Sequence, residues 1–89
     1  VEDAVGQKHS LTAIIFGRHH AAFELIKHVQ LKQLSKGTIE VILVPRSQST
    51  TIDELEKGFN FSGLNIQFLF KLQNEPIRTI AGKILLKIK

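Results

Sequence analysis

Val29-Gln30-Leu31-Lys32-Gln33-Leu34-Ser35-Lys36-Gly37-Thr38-Ile39-Glu40-Val41-Ile42-Leu43-Val44-Pro45 reads as a β-hairpin. Val29 and Leu31 are apolar at alternate positions, the period of a strand with one buried face. Ser35-Lys36-Gly37 supplies the turn, because glycine accepts backbone conformations that a side chain forbids. Ile39, Val41 and Leu43 alternate on the return. Ile42 and Val44 make the second face partly apolar as well. Pro45 ends the strand, having no N–H for the ladder.

Toward the C-terminus, Arg46-Ser47-Gln48-Ser49-Thr50 is a polar loop. Thr51-Ile52-Asp53-Glu54 then fits a capping box, in which a Thr hydroxyl and a Glu carboxylate satisfy each other's orphan amides. Ile52, Leu55 and Phe59 follow at helical spacing, and Gly58 is expected to end this helix in the left-handed conformation. Ile66, Phe68, Phe70 and Leu72 alternate strictly, which predicts a half-buried strand. Ile84, Leu86 and Ile88 alternate again and predict a last strand.

Toward the N-terminus, Ala21 to Lys27 is helix-compatible, with Ala22, Phe23 and Ile26 able to share a face. Leu11-Thr12-Ala13-Ile14-Ile15-Phe16 is a short apolar run ended by Gly17, and is expected to be a buried strand. Residues 1–10 are polar and read as a linker or lead-in. The expected fold class is therefore α+β, a single small domain over residues 11–89. Its first six elements follow the βαββαβ order of ferredoxin-like folds. Two helices would lie on one face of a mainly antiparallel sheet, with a C-terminal strand added.

With 89 residues, 43% hydrophobic and 22% charged, the chain has a globular composition and length for one domain. No apolar run approaches the roughly 20 residues of a membrane-spanning helix. Cysteine is absent, which rules out disulfides, thiolate zinc sites and a cysteine nucleophile, and is compatible with the cytoplasm. Methionine is absent too, even at position 1, and the expectation is a piece of something larger. The net charge of +4 suits a polyanion partner. However, the lysines are scattered, and the six Phe lie in apolar patterns rather than among basic residues, so a base-stacking platform is weakly supported.

Motifs of complete enzymes are missing. No His pair stands at helical metal spacing, and His19-His20 reads as two solvated loop histidines, so no metal site is expected. Asp53, Glu54 and Glu56 sit at the start of the second predicted helix, where they complement its positive end. There is no Gly-x-Ser-x-Gly elbow, Gly-rich phosphate loop or dinucleotide fingerprint.

Two short stretches carry chemistry. In Pro76-Ile77-Arg78-Thr79-Ile80-Ala81-Gly82-Lys83, a polar turn delivers one lysine at the mouth of an apolar strand. A lysine there can reach a phosphate or carboxylate oxygen held by another domain. Gly17-Arg18 follows the first apolar run, and its arginine can fork onto an oxyanion. The plain alternative for each is a turn with a solvated charge.

Together these features resemble the C-terminal domain of adenylate-forming enzymes, in the branch of phenylacetate–CoA ligases and CapK-like proteins. The resemblance covers roughly residues 11–89. It rests on the Gly17-Arg18 pair, the hairpin 29–44, the strand Asn65-Ile66-Gln67-Phe68-Leu69-Phe70 and the tail Arg78-Thr79-Ile80-Ala81-Gly82-Lys83. The spacing of Pro76 from Arg78 departs from the family by one residue, and His20 and Ala21 replace its usual acidic residues. The resemblance implies a lid for an ATP-dependent, carboxylate-activating ligase. Lys83 would be the catalytic lysine of adenylation, with Arg78, Thr79 and Gly82 contacting substrate or ATP. Gly17 and Arg18 would form the hinge. ATP and Mg²⁺, and in some members coenzyme A, would serve the intact enzyme. The partners would be an N-terminal adenylation domain and a carboxylic acid.

From residues alone, two other readings stand. One is a small basic module binding RNA or a protein partner, drawn from the pI near 9.7 and the element order. The other is pairing between copies through an edge strand such as Ile84 to Ile88.

Overall fold

The computed structural model describes residues 1–17 and 20–88. It is an α+β fold with a four-stranded mixed sheet. The elements are α1 (Leu11–Ile15), a 3-10 turn (Ala21–Leu25), β1 (Ile26–Ser35), β2 (Thr38–Pro45), α2 (Ile52–Lys57), β3 (Gln67–Leu72) and β4 (Lys87–Ile88). The sheet order is β3-β2-β1-β4. β1 and β2 form the hairpin and run antiparallel, Val29 facing Leu43 and Leu31 facing Val41. β3 joins β2 in parallel after the α2 crossover, and β4 joins β1 in parallel.

The hairpin, the second helix and β3 match the sequence reading. Gly37 takes φ 80° at the turn, and a Cβ there would stand 2.7 Å from the Ala4 Cα. A side chain at this position therefore meets both strain and a clash. The Thr51–Glu54 capping box is formed: the Thr51 hydroxyl accepts the Glu54 N–H, and the Glu54 carboxylate accepts the Thr51 N–H. Thr51→Ala is expected to cost about 1 kcal/mol. The check is the denaturation midpoint, and an unchanged value would remove the cap from the stability account.

Five expectations are corrected. Leu11 to Phe16 is not a strand. Residues 11–15 form α1, whose N-cap Ser10 accepts the Ala13 N–H through its hydroxyl, and only Ile14 and Ile15 are buried. A short apolar run has no period to separate strand from helix. Without that first strand the βαββαβ order is not formed, and β4 occupies the edge of β1 opposite β2. The sheet is mixed rather than mainly antiparallel. The helix expected over 21–27 ends at Leu25, and β1 begins at Ile26. Gly58 does cap α2, but at φ −82°, ψ −7° rather than left-handed. Glycine is needed there for space: a Cβ would lie 2.7 to 2.8 Å from Ala22.

One face of the sheet carries the core. Leu31, Ile39, Val41 and Leu43 pack with Ile14 and Ile15 of α1, Ala22 of the 3-10 turn, and Leu55 and Phe59 in and after α2. Each large aliphatic side chain buried this way contributes on the order of 1.5–3 kcal/mol. Phe68, Phe70 and Leu72 of β3 close the edge half-buried.

His20 belongs to this layer, not to a solvated loop. It is 3% exposed. Its Nε2–H donates to the Ile14 carbonyl at 2.9 Å, and its Nδ1 accepts the Asn60 N–H at 3.0 Å. These two partners assign the neutral tautomer. The rings of Phe23, Phe59 and Phe61 surround it at 5.0 to 5.3 Å. His20 thus ties α1 to the segment after α2. His19 lies outside the described residues.

The opposite face is covered by the C-terminal crossing from β3 to β4. Gln30 points to it and is 1% exposed, and Ile42 and Val44 are also buried there. The Gln30 amide donates to the carbonyls of Ile77 and Leu85, and its oxygen accepts the Ile77 N–H, all at 2.8 Å. These bonds hold the crossing against the sheet. Of the strand expected over 84–88, only Lys87 and Ile88 join the sheet, while Ile84 bridges back to Arg78.

Residues 1–10 form a closed loop docked on the hairpin turn. The Gln33 amide brackets Glu2, accepting its N–H at 3.0 Å and donating to its carbonyl at 2.7 Å. The Ala4 N–H donates to the Asn65 carbonyl. Asp3 is buried at the loop's centre, where its carboxylate accepts the N–H groups of Val5 and Gln7 and meets His9 Nε2 at 2.9 Å. The His9 hydrogen bond, helped by the two backbone donors, holds the Asp3 carboxyl below its ordinary range against the opposing effect of burial. A lowered folded value means stability that is present above the unfolded value, about 3.9, and lost as pH falls through the folded one. Melting temperatures are therefore expected to fall more for the native chain than for Asp3→Asn between about pH 5 and pH 3. Parallel losses would take Asp3 out of the acid response.

Candidate functional site

The sequence-predicted tail residues come together in one tight, exposed turn. The Thr79 N–H donates to the Lys83 carbonyl and the Gly82 N–H to the Thr79 carbonyl, each at 2.8 Å. The Lys83 N–H donates to the Thr79 hydroxyl at 3.0 Å. The Arg78 guanidinium donates to the Gly82 carbonyl at 3.2 Å. Gly82 sits at φ 84°, the left-handed region the turn requires. A bridge between Arg78 and Ile84 closes the base. The backbone of the turn is thus held at both ends, while the Lys83 side chain is exposed.

The surroundings are cationic and apolar. Among the described residues, no carboxylate lies within ion-pair distance of Arg78, Lys83 or Lys87. Ile80 at the tip is fully exposed, and Ile77, Ile84 and Leu85 stand 37 to 42% exposed beside it. A small depression of about 190 Å³ lies under the turn, lined by Gln30, Ile77, Arg78, Thr79, Leu85 and Lys87 among others. Unpaired cations with an apolar rim suit a surface that meets an anion and a second protein face together.

The proposed hinge fares differently. Gly17 ends α1 rather than a strand, and its N–H donates to the Thr12 and Ala13 carbonyls. A Cβ there would come within 2.5 Å of the Ala13 carbonyl oxygen, so glycine answers to the helix end. Arg18 lies outside the described residues.

Gln30 is the residue of this site that sequence reasoning missed. Alternation in β1 could place it on the second face. Nothing local announces that the segment 76–85 lies over it.

No helix among the described residues is long and apolar enough to cross a membrane. No family model, no curated protein and no solved structure matches this chain.

Proposed function

We propose that this domain is the C-terminal lid of an ATP-dependent, carboxylate-activating ligase of the adenylate-forming type, with Lys83 delivered to the adenylation site. The observation that carries the reading is the turn itself: a backbone-locked projection that ends in an unpaired lysine and is rimmed by exposed Ile77, Ile80, Ile84 and Leu85. A catalytic cation supplied in trans needs an exposed ammonium, a rigid base, and an apolar surface to seat against the domain that holds the reactants.

In that role the Lys83 ammonium would neutralise charge developing on the α-phosphate as the substrate carboxylate attacks it and pyrophosphate leaves from the broken α–β anhydride bond, and would orient that carboxylate. Arg78 would act first through the turn, since its guanidinium is engaged by the Gly82 carbonyl. Thr79 would hold the Lys83 amide and so set where the side chain emerges. ATP, Mg²⁺ and the acid would be bound by an adenylation domain on the same polypeptide. Coenzyme A is the acceptor the resemblance suggests. Gly17 and Arg18 are proposed as the pivot about which the lid turns between the two half-reactions.

The test is acid-dependent exchange of pyrophosphate into ATP by the natural full-length polypeptide. The expected result is exchange by the whole polypeptide and none by the 89-residue chain alone. A natural product with no adenylation domain, or a full-length product without exchange on any carboxylic acid, would overturn the reading.

A further inference from the structure

A second basic site lies at the end of the sheet where β1 begins and β2 ends. The register between β1 and β2 shifts between Ile26 and His28, so Lys27 stands in a β-bulge. A bulge leaves its extra residue out of the ladder and re-aims its side chain. Arg46 follows the last residue of β2, and its N–H is anchored on the Leu25 carbonyl at 2.9 Å. Lys27 and Arg46 line two clefts in common.

The first cleft, about 660 Å³, adds the side chains of Gln48, Thr50, Gln73 and Asn74. The second, about 360 Å³, adds Phe16 and Phe23, whose rings lie 6.1 Å apart, with Phe16 62% exposed. Both volumes are in the range of small-molecule sites. Among the described residues no carboxylate lines either cleft, and neither cation has an ion-pair partner. Two uncompensated cations bordered by amide and hydroxyl groups favour a phosphate. On their other side the exposed Phe16, with the half-buried Phe23 behind it, favours a flat ring.

We propose that this end of the sheet binds a nucleotide, with its phosphate between Lys27 and Arg46 and its base against Phe16 and Phe23. The site is separate in residues from the Arg78–Lys83 turn and does not depend on the lid reading. Its sequence signal was slight, because only the hairpin pairing brings Lys27 and Arg46 to the same end of the sheet.

The experiment is a site-resolved NMR titration of the 89-residue chain, which buries its own core, with AMP. Inorganic phosphate, adenosine and a single-stranded oligoadenylate serve as comparisons. AMP is expected to shift the amides of Lys27, Arg46, Gln48 and Asn74 and to move the Phe16 and Phe23 ring signals upfield. Inorganic phosphate should move only the first group. Lys27→Ala and Arg46→Gln, both at exposed positions, should each weaken AMP about tenfold or more. Tighter binding of oligoadenylate with the same shifts would support the site and name a nucleic acid as the nucleotide's source. An absence of shifts at millimolar AMP, shifts confined to residues 78–83, or AMP affinity unaltered in both variants would overturn the proposal. The last two outcomes leave pyrophosphate exchange by the full-length polypeptide unaffected, so the two readings fail separately.

Discussion

In the ligase proposed above, Lys83→Ala is expected to lower acyl-adenylate formation by about 10²–10³-fold while leaving the fold intact. The magnitude is that of removing one preorganised donor from a developing oxyanion. The Lys83 side chain is exposed and has no ion-pair partner among the described residues, so its loss should shift stability by no more than about 0.5 kcal/mol. The turn should survive, because its bonds run through the Lys83 backbone and the Thr79 hydroxyl. Thioester formation from a supplied acyl-adenylate, which expels AMP, should be spared, since the proposed rotation of the lid carries Lys83 away from the reactants before that half-reaction. Pyrophosphate exchange at saturating acid, read beside the melting temperature, makes the check. Adenylation at full rate in a folded variant would remove Lys83 from the chemistry.

The second large effect is expected at Gln30. Gln30→Leu keeps much of the volume but leaves the Ile77 N–H and the carbonyls of Ile77 and Leu85 without their partner. Each backbone group stranded in this way costs about 1–3 kcal/mol, and relaxation of the crossing recovers part of it. A loss of about 3 kcal/mol is expected, which lowers the melting temperature of a domain this size by more than about 10 °C. Amide exchange should rise first at Ile77 and at Leu31, whose N–H bonds the Leu86 carbonyl. Adenylation should fall too, although Gln30 touches no reactant, because the crossing it fastens carries Lys83. Native stability in Gln30→Leu would mean that the crossing is held by its apolar contacts instead.

Local patterns accounted for much of the fold. The hairpin was legible because alternation and a glycine turn specify the same pairing. The capping box was legible because Thr51 and Glu54 sit at the one spacing that lets both orphan amides be satisfied. β3 was legible from three core-facing residues alternating with exposed ones. The turn of the candidate site was legible as well, since Gly82 stands where a positive φ is required.

Some failures come from local patterns that fit two structures, and the others from contacts between residues far apart in the chain. Leu11 to Phe16 has the composition of a buried strand. Its Ser10 cap and its packing under the sheet make it a helix, and β4 takes the edge of β1 opposite β2. Adjacency made His19-His20 look like a loop pair, yet His20 is enclosed by phenylalanines and bonded to Asn60, 40 residues away.

The sequence by itself determined the α+β class, the hairpin, the capped second helix and the turn that presents Lys83. These follow from periods and spacings within one element or between neighbours. Only the tertiary structure decided the mixed sheet, the burial of His20, the seating of the C-terminal crossing on Gln30, and the placing of Lys27 and Arg46 on shared clefts. Gln30 lies 47 residues from Ile77, and no period spans that distance. Such pairs form because buried amides must find partners and apolar faces must be covered, and the finished fold sets which ones meet.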